Sequence, residues 1–383
     1  MKQRILMTSG FALAMVGASA CANEFNPDIS LVLDGTYKSQ DTALQNAEKG
    51  FSLGHTELAI EAPVDDLFHG RLSAVLEDHE GKTEINMEEA FLETTALPYG
   101  LHVKAGRFLS GIGYLNGRHT HEDDFSERPA VYRALLGSHY FDDGINASIL
   151  MPTDVYWIIS AEAFDGKQMS GQSHDKSVGV YTLSTKVGGD FNTENSWQVG
   201  ASYLHNRLTE LENEEEEHED GHDHEHDHGD HAGHSHASHS HDVEYQGKHL
   251  YILDAVWKWA PNGNSKEEQL KLAAEYLLAK DPNQYASSDD FQQGWYFSSS
   301  YKFQPEWTVS VRVGQVDLSE AHGDHFHRQK LDEANLALTW SRSHFSLIRM
   351  MYTHQSSDDF DNDGSALSLQ YQMTLGAHGA HQF

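Results

Sequence analysis

Residues 218–241 read HEDGHDHEHDHGDHAGHSHASHSH, ten histidines in twenty-four positions with no lysine or arginine among them. So many ionisable side chains cannot be buried at a tolerable cost, so the tract belongs in water. Its chemistry is that of imidazole, which is mostly neutral at pH 7 and binds metal through a ring nitrogen. His222, His224, His226 and His228 are spaced H-x-H-x-H-x-H, so in an extended segment they project on one side. A flexible chain can fold three or four of them around one ion, with His218, His231, His234, His236, His239 and His241 as further donors. Asp223, Glu225 and Asp227 add carboxylate ligands and a negative field that concentrates cations. The pattern implies overlapping, exchanging sites that bind an ion loosely, and imidazole alone leaves zinc, copper and nickel open. The alternative is a solvated loop that merely keeps the surface hydrophilic. Two smaller clusters share the chemistry: HTHEDD, with His119 and His121, and HGDHFH, with His322, His325 and His327. The isolated His55, His69, His102, His205, His249 and His354 read as polar strand positions rather than ligands.

The rest of the chain must say what carries these histidines. Its 383 residues bear a formal charge of -33, and 38% are hydrophobic. Residues 210–242 hold thirteen Asp or Glu without a basic residue, about two fifths of the net charge. No basic face is left to neutralise phosphates, which excludes nucleic acid as a partner. No Gly-x-Ser-x-Gly elbow is present, and the His-Glu-x-x-His spacings at 218–222 and 224–228 fall where a flexible loop rather than a helix is expected, so the chain does not read as an enzyme. The opening MKQRILMTSGFALAMVGASACANEF has Lys2 and Arg4, an apolar run and small residues, the layout of a secretory signal peptide at 1–22. The mature chain, 23–383, is then free of cysteine, with lipid-modified Cys21 as the alternative.

Beyond the leader the dominant pattern has period two. Trp307, Val309, Val311 and Val313 alternate with Thr308, Ser310 and Arg312, and Leu367, Leu369, Tyr371, Met373 and Leu375 alternate with polar residues near the terminal Phe383. Ile29 to Leu33, Trp197 to Tyr203 and Trp295 to Phe303 repeat it, while Tyr251, Leu253, Ala255 and Trp257 have less regular neighbours. Sixteen strands are expected, near 28–37, 51–61, 68–78, 83–95, 100–108, 142–150, 154–164, 177–187, 196–206, 247–259, 268–280, 292–303, 306–317, 331–341, 343–354 and 365–376. Alternate connections are short and turn-like (APVDDL, ALPY, MPT, VGGDFNTEN, APNGNSKE, QPE, RS). The others include the long ones, 38–50, 109–141, 165–176, 207–246, 318–330 and 355–364, with 79–82 as the exception. A sandwich has no reason for this asymmetry; a membrane barrel does. Trp257, Trp259, Trp295, Trp307 and Trp340 suit its aromatic girdles, or else a core.

The stretch EEAFLETTALPYGLHVKAGRFLSGIGYLNGRHTHEDDF, with RALLG and FDDG after it, resembles Gram-negative outer-membrane proteins related to the phosphate-selective porins, some described as zinc-regulated receptors. The resemblance implies an all-β, transmembrane antiparallel β-barrel of about 16 strands, porin-like, with long extracellular loops, set in outer-membrane lipid and linked to zinc supply. An N-terminal plug, as an energised receptor would need, is not expected, because the first strand starts within a few residues of Asn23. Phosphate selectivity does not carry over, since 26 Lys plus Arg leave few for a basic ladder in the lumen.

With both termini on the periplasmic side, the long connections face outward, and the 207–246 insert and both lesser clusters lie on the cell surface. The 109–141 connection is the third outward loop. In porins of this size such a loop often folds inward, which would stand His119, His121, Asp123 and Asp124 at the constriction and favour cations. The sequence thus describes a channel that gathers divalent metal ions, zinc above all, and passes them by diffusion. The alternatives are a metal-buffering barrel that does not conduct and a general diffusion porin. A homotrimer is the expected assembly.

Overall fold

The computed structural model describes residues 27–79, 82–170, 177–208, 247–282, 285–322, 325–360 and 362–376. The expected leader at 1–22, the ten histidines from His218 to His241 and the terminal Phe383 lie outside them.

The described chain is strand almost throughout. Its elements are β1 (Asp28–Lys38), β2 (Gly50–Leu53), β3 (Thr56–Pro63), β4 (Phe68–His79), β5 (Lys82–Thr94), β6 (Leu101–Leu109), β7 (Phe141–Leu150), β8 (Tyr156–Phe164) and β9 (Val180–Asn192). They continue as β10 (Asn195–Asn206), β11 (His249–Trp259), β12 (Gln269–Lys280), β13 (Phe291–Gln304), β14 (Trp307–His322), β15 (His325–Ser343), β16 (Ser346–Asp358) and β17 (Ser365–Gly376). β2 and β3 are two halves of one stave, both paired with β1. Every later strand pairs antiparallel with its sequence neighbour, and β17 returns to β1 with Ser30 opposite Gly376 and Lys38 opposite Ser368. The result is a closed antiparallel barrel of 16 staves, as the alternation predicts. Closure leaves no unpaired edge, which a strand in lipid requires. Among the described residues no helix is long and apolar enough to cross a membrane.

The barrel is inside out. Leu253, Phe297, Val311, Val313, Leu336, Leu367 and Leu369 stand exposed on the outer face, whereas Gln198, Ser298, Ser310, Asn335, Thr353 and Gln370 are enclosed. Water-soluble folds reverse this arrangement. The tryptophans fall on the outer face near the strand ends. Trp307 and Trp340 are register partners with ring centroids 6.3 Å apart, and Trp197 stands opposite Trp257. Toward the other rim Tyr203 pairs with Tyr251, and Tyr276 with Trp295. Two belts of amphipathic rings flanking an apolar band are girdles rather than a core.

The connections keep the expected asymmetry, with two corrections. The 318–330 loop is mostly strand: the β14–β15 ladder runs from Trp307 opposite Trp340 to His322 opposite His325. The outer apolar pattern stops near Val313, but a backbone ladder needs no apolar side chains once clear of lipid, so Ser319, Arg328 and Gln329 extend the hairpin. Likewise β9 runs to Asn192 rather than 187, and its turn is only Thr193 and Glu194. The irregular neighbours of Tyr251 also find a reason. Leu250 and Ile252 point inward and are fully buried against a loop that occupies the lumen.

Candidate functional site

That loop is 110–140, between β6 and β7. Within it Ala130–Leu136 form the short helix α1, entered at Pro129 and stopped by Gly137, whose φ of 54° supplies the left-handed cap. A surface helix would bury one stripe; α1 buries Ala130, Val131, Tyr132, Arg133, Leu135 and Leu136, because wall surrounds it. Its apolar side chains pack against Leu250, Ile252, Leu277, Tyr296, Val316 and Leu331 of the inner wall. Gly294 makes the approach possible, since a Cβ there would lie 2.5 Å from Val131 Cγ2.

Polar tethers complete the docking. Glu275 on β12 accepts hydrogen bonds from Tyr132 Oη (2.8 Å), Tyr296 Oη (2.7 Å) and the N–H groups of Tyr114 (2.8 Å) and Leu115 (3.1 Å). Lys38 Nζ meets Glu127 at 2.9 Å, and Lys271 Nζ meets Asp124 at 2.7 Å. Arg133 pairs with Glu333, and Arg349 Nη2 donates to the Asp123 carbonyl at 2.6 Å. Several of these charges are deeply buried, and each is matched, as burial demands.

On the opposite flank the loop meets β3 and β5 through histidines and glutamates. Two β-bulges build this flank. Between β2 and β3 the register to β1 gains one residue, because Leu53 faces Gly35 while Glu57 faces Val32. In β5 the register to β4 slips between Ser73 and Ala74, which face Glu89 and Met87. A bulge changes the phase of alternation. Glu88 and Glu89 therefore both point inward although adjacent, and His55 turns inward beside Glu57. His119 enters from the loop: its Nδ1 lies 3.0 Å from Glu88 Oε2 and 3.3 Å from Glu57 Oε2, and its Nε2 lies 3.1 Å from Glu89 Oε2 and 2.9 Å from Arg71 Nη2. His55 Nε2 is 3.6 Å from Glu88 Oε1 and 3.9 Å from Glu57 Oε2. His121 Nδ1 lies 3.0 Å from Glu57 Oε2, and His139 Nε2 lies 2.8 Å from Glu88 Oε1. Burial works against a charge on His119, but Glu57 and Glu89 beside it hold its pKa well above the ordinary histidine value. Burial pushes His121 and His139 below it.

The structure brings His119 and His121 together, but inside the lumen rather than on the surface. Asp123 and Asp124 also came inward, yet they are spent on Arg128 (2.8 Å) and Lys271. His322 and His325 face each other across the tip of the β14–β15 hairpin, and His325 and His327 are exposed. Among the described residues, the His and acidic donors that converge as a metal site would are His55, Glu57, Glu88 and His119. Of these four, His119 stands out in the sequence as a candidate ligand, whereas His55 reads as an ordinary polar strand residue and the two glutamates carry no ligand motif. The signal was the doublet Glu88-Glu89, which breaks an otherwise regular alternation.

The barrel can be compared with known structures on this footing. OmpTdeltaL8, a loop L8 deletion mutant of OmpT, an outer membrane protein of Vibrio cholerae, superposes with a TM-score of 0.57 at 9% identity, covering 92% of this chain and 100% of that one. OmpF of Salmonella typhi, in complex with daunomycin, gives 0.56 at 10% identity, over 92% and 98%. The anion-selective porin of Comamonas acidovorans gives 0.55 at 11%, over 92% and 99%. The fold is that of the outer-membrane porins. No family model matches the chain. In sequence, an uncharacterized protein of Aquifex aeolicus (strain VF5) is 25% identical over 404 residues, spanning 94% of this chain and 80% of that protein. Within the porin fold one expectation about charge is corrected. The inner wall carries more basic groups than the composition suggested: Arg312 and Arg349 are buried against the loop, and Lys186, Lys258, Lys271 and Lys302 follow on neighbouring staves β9 to β13. A low total of basic residues does not prevent their concentration on one wall.

Proposed function

We propose that the chain is a porin-type outer-membrane channel that gathers zinc, or a similar divalent metal, on the His/Asp/Glu segment of 207–246 and lets it diffuse through the barrel. The observation that carries this is a closed, inside-out barrel whose 110–140 connection is docked within the lumen, the arrangement of a size-limited pore. The histidine segment joins β10 to β11, at the same end of the barrel as the 110–140 loop. With both chain ends at the short-turn rim, that end faces the medium, so ions held loosely there are concentrated at the mouth. Transport is passive and the protein is not an enzyme. Copper and nickel bind the same imidazoles, and a trimer in outer-membrane lipid is the assembly this fold commonly adopts. Deletion of 212–242 tests the reading: the barrel still assembles, while zinc binding by whole cells and growth under zinc chelation fall. Unchanged binding and growth would leave a channel without metal capture.

A second reading rests on Lys186, Lys258 and Lys302, which sit half-buried on the inner wall. They favour small anions in a general diffusion porin. The reversal potential across a planar bilayer in a salt gradient separates the two, by its sign.

A further inference from the structure

We propose that His55, Glu57, Glu88 and His119 bind one divalent transition-metal ion of the zinc type, which latches the lumen loop to the barrel wall. This site is separate from the histidine tract, and its occupancy does not depend on whether the channel carries zinc. Two imidazoles and two carboxylates each offer one donor atom, all within 4.8 Å of one another. Bonds of about 2.0–2.2 Å to a tetrahedral ion place neighbouring donors roughly 3.3–3.5 Å apart. Here His119 Nδ1 lies 3.0 Å from Glu88 Oε2 and 3.3 Å from Glu57 Oε2, while His55 Nε2 lies 3.9 Å from the same Glu57 oxygen and 3.6 Å from Oε1, the other oxygen of Glu88. A turn of the Glu88 carboxylate and side-chain shifts of about 1 Å bring all four onto one ion. A mixed imidazole and carboxylate set suits zinc and excludes calcium and magnesium, which take oxygen ligands alone.

Charge points the same way. Glu57, Glu88 and Glu89 place three carboxylates in one enclosed pocket, and Arg71 is the guanidinium that meets two of them, at 3.3 Å from Glu57 and 2.8 Å from Glu89. An excess of buried negative charge is costly unless a cation offsets it, and a divalent ion does so in one step. The surroundings also resemble the outer shell of a metal site. Glu89 Oε2 at 3.1 Å and Arg71 Nη2 at 2.9 Å both stand at His119 Nε2, so they orient the ring with its Nδ1 edge toward Glu57 and Glu88. His121 and His139 also meet the two ligating carboxylates, at 3.0 Å from Glu57 Oε2 and 2.8 Å from Glu88 Oε1. The ligands come from three separate pieces of chain: the β2–β3 bulge and β3, the β5 bulge, and the loop. An ion there ties the loop to the wall on the flank opposite Glu275 and so fixes the width of the pore.

The test is metal retention by the purified, folded full-length chain. The protein is loaded with Zn(II), washed with a weak chelator that strips the exchanging tract, and assayed for zinc per chain, with Co(II) loaded in parallel for its visible spectrum. Heat-modifiable migration on a gel verifies that each variant is folded. The wild type is expected to retain one ion per chain, and its Co(II) form to show the intense d–d absorption of tetrahedral nitrogen and oxygen coordination. Glu88→Gln, which keeps size and shape, and His119→Ala are expected to lose that ion and that spectrum. Glu89→Gln, beyond the ligands, is expected to weaken retention by about tenfold. Deleting 212–242 leaves the retained ion in place, which distinguishes the latch from the tract. A wild type that retains no ion, or a retained ion and spectrum unchanged by Glu88→Gln and His119→Ala in folded protein, overturns the proposal. Loss of the ion on deleting the tract, with the four ligands intact, also overturns it.

Discussion

Glu275 shows how much one side chain does inside this barrel. It is buried, and its two oxygens accept four hydrogen bonds, three of them from the 110–140 loop and one from Tyr296. Gly113 sits against it with φ of +63°, where a Cβ would come within 2.5 Å of Glu275 Oε2. Backbone and carboxylate thus fit each other closely. Replacing Glu275 with alanine leaves two buried hydroxyls and two buried N–H groups without an acceptor, a loss of about 3 kcal/mol once some relaxation is allowed. That loss falls on loop docking rather than on the barrel, whose ladder does not involve the side chain. Cleavage by trypsin within 110–140, at Arg118 or Arg133, should therefore rise roughly 100-fold while the barrel stays folded. An unchanged cleavage rate would mean that the apolar packing of α1 alone holds the loop.

For the loop as an element, pH is the informative variable. Burial opposes ionisation of Asp124 and Glu127, but Lys271 beside the first, and Lys38 and Arg133 beside the second, hold both below the usual carboxylate range. A carboxyl whose pKa is depressed on docking contributes stability that is full above its ordinary pKa and is lost as pH falls through the depressed value. The loop should stay docked from neutrality to about pH 4, where free carboxylates begin to protonate, and loosen only below that. Single-channel current gives the readout: unitary conductance constant from pH 7 to about 4.5, with flicker or a step at lower pH. A change between pH 7 and 5 would place the controlling groups among the histidines instead. The same element shows the limits of reading the sequence. Its place as the third connection on the long-loop rim, and hence the expectation of an inward fold, comes from counting strands. That its charges face the wall does not, because the partners Lys38, Lys271, Glu275, Glu333 and Arg349 lie on distant strands.

Across the whole molecule, period two carried most of the fold. Lipid on one side and an enclosed polar lumen on the other impose strict alternation, and Val311, Val313, Leu336 and Leu338 record it plainly. Alternation fails to predict where a strand ends beyond the lipid, which is why the β14–β15 hairpin was cut short, and it hides bulges. One extra residue near His55 and one at Glu88 leave composition unchanged but turn His55, Glu88 and Glu89 toward the same point. The expectation of metal binding rests on the histidine tract, which lies outside the described residues, whereas the convergent donors depend on two phase shifts and a folded loop. The account as a whole claims that divalent ions cross this barrel passively and are concentrated at its mouth by the tract. The most direct measurement is zinc influx into liposomes carrying the purified protein and an enclosed fluorescent zinc indicator, without any energy source. The account predicts influx down the gradient, lowered by deletion of 212–242 at scarce external zinc and restored when zinc is abundant. A folded, ion-conducting barrel that admits no zinc under either condition would contradict it.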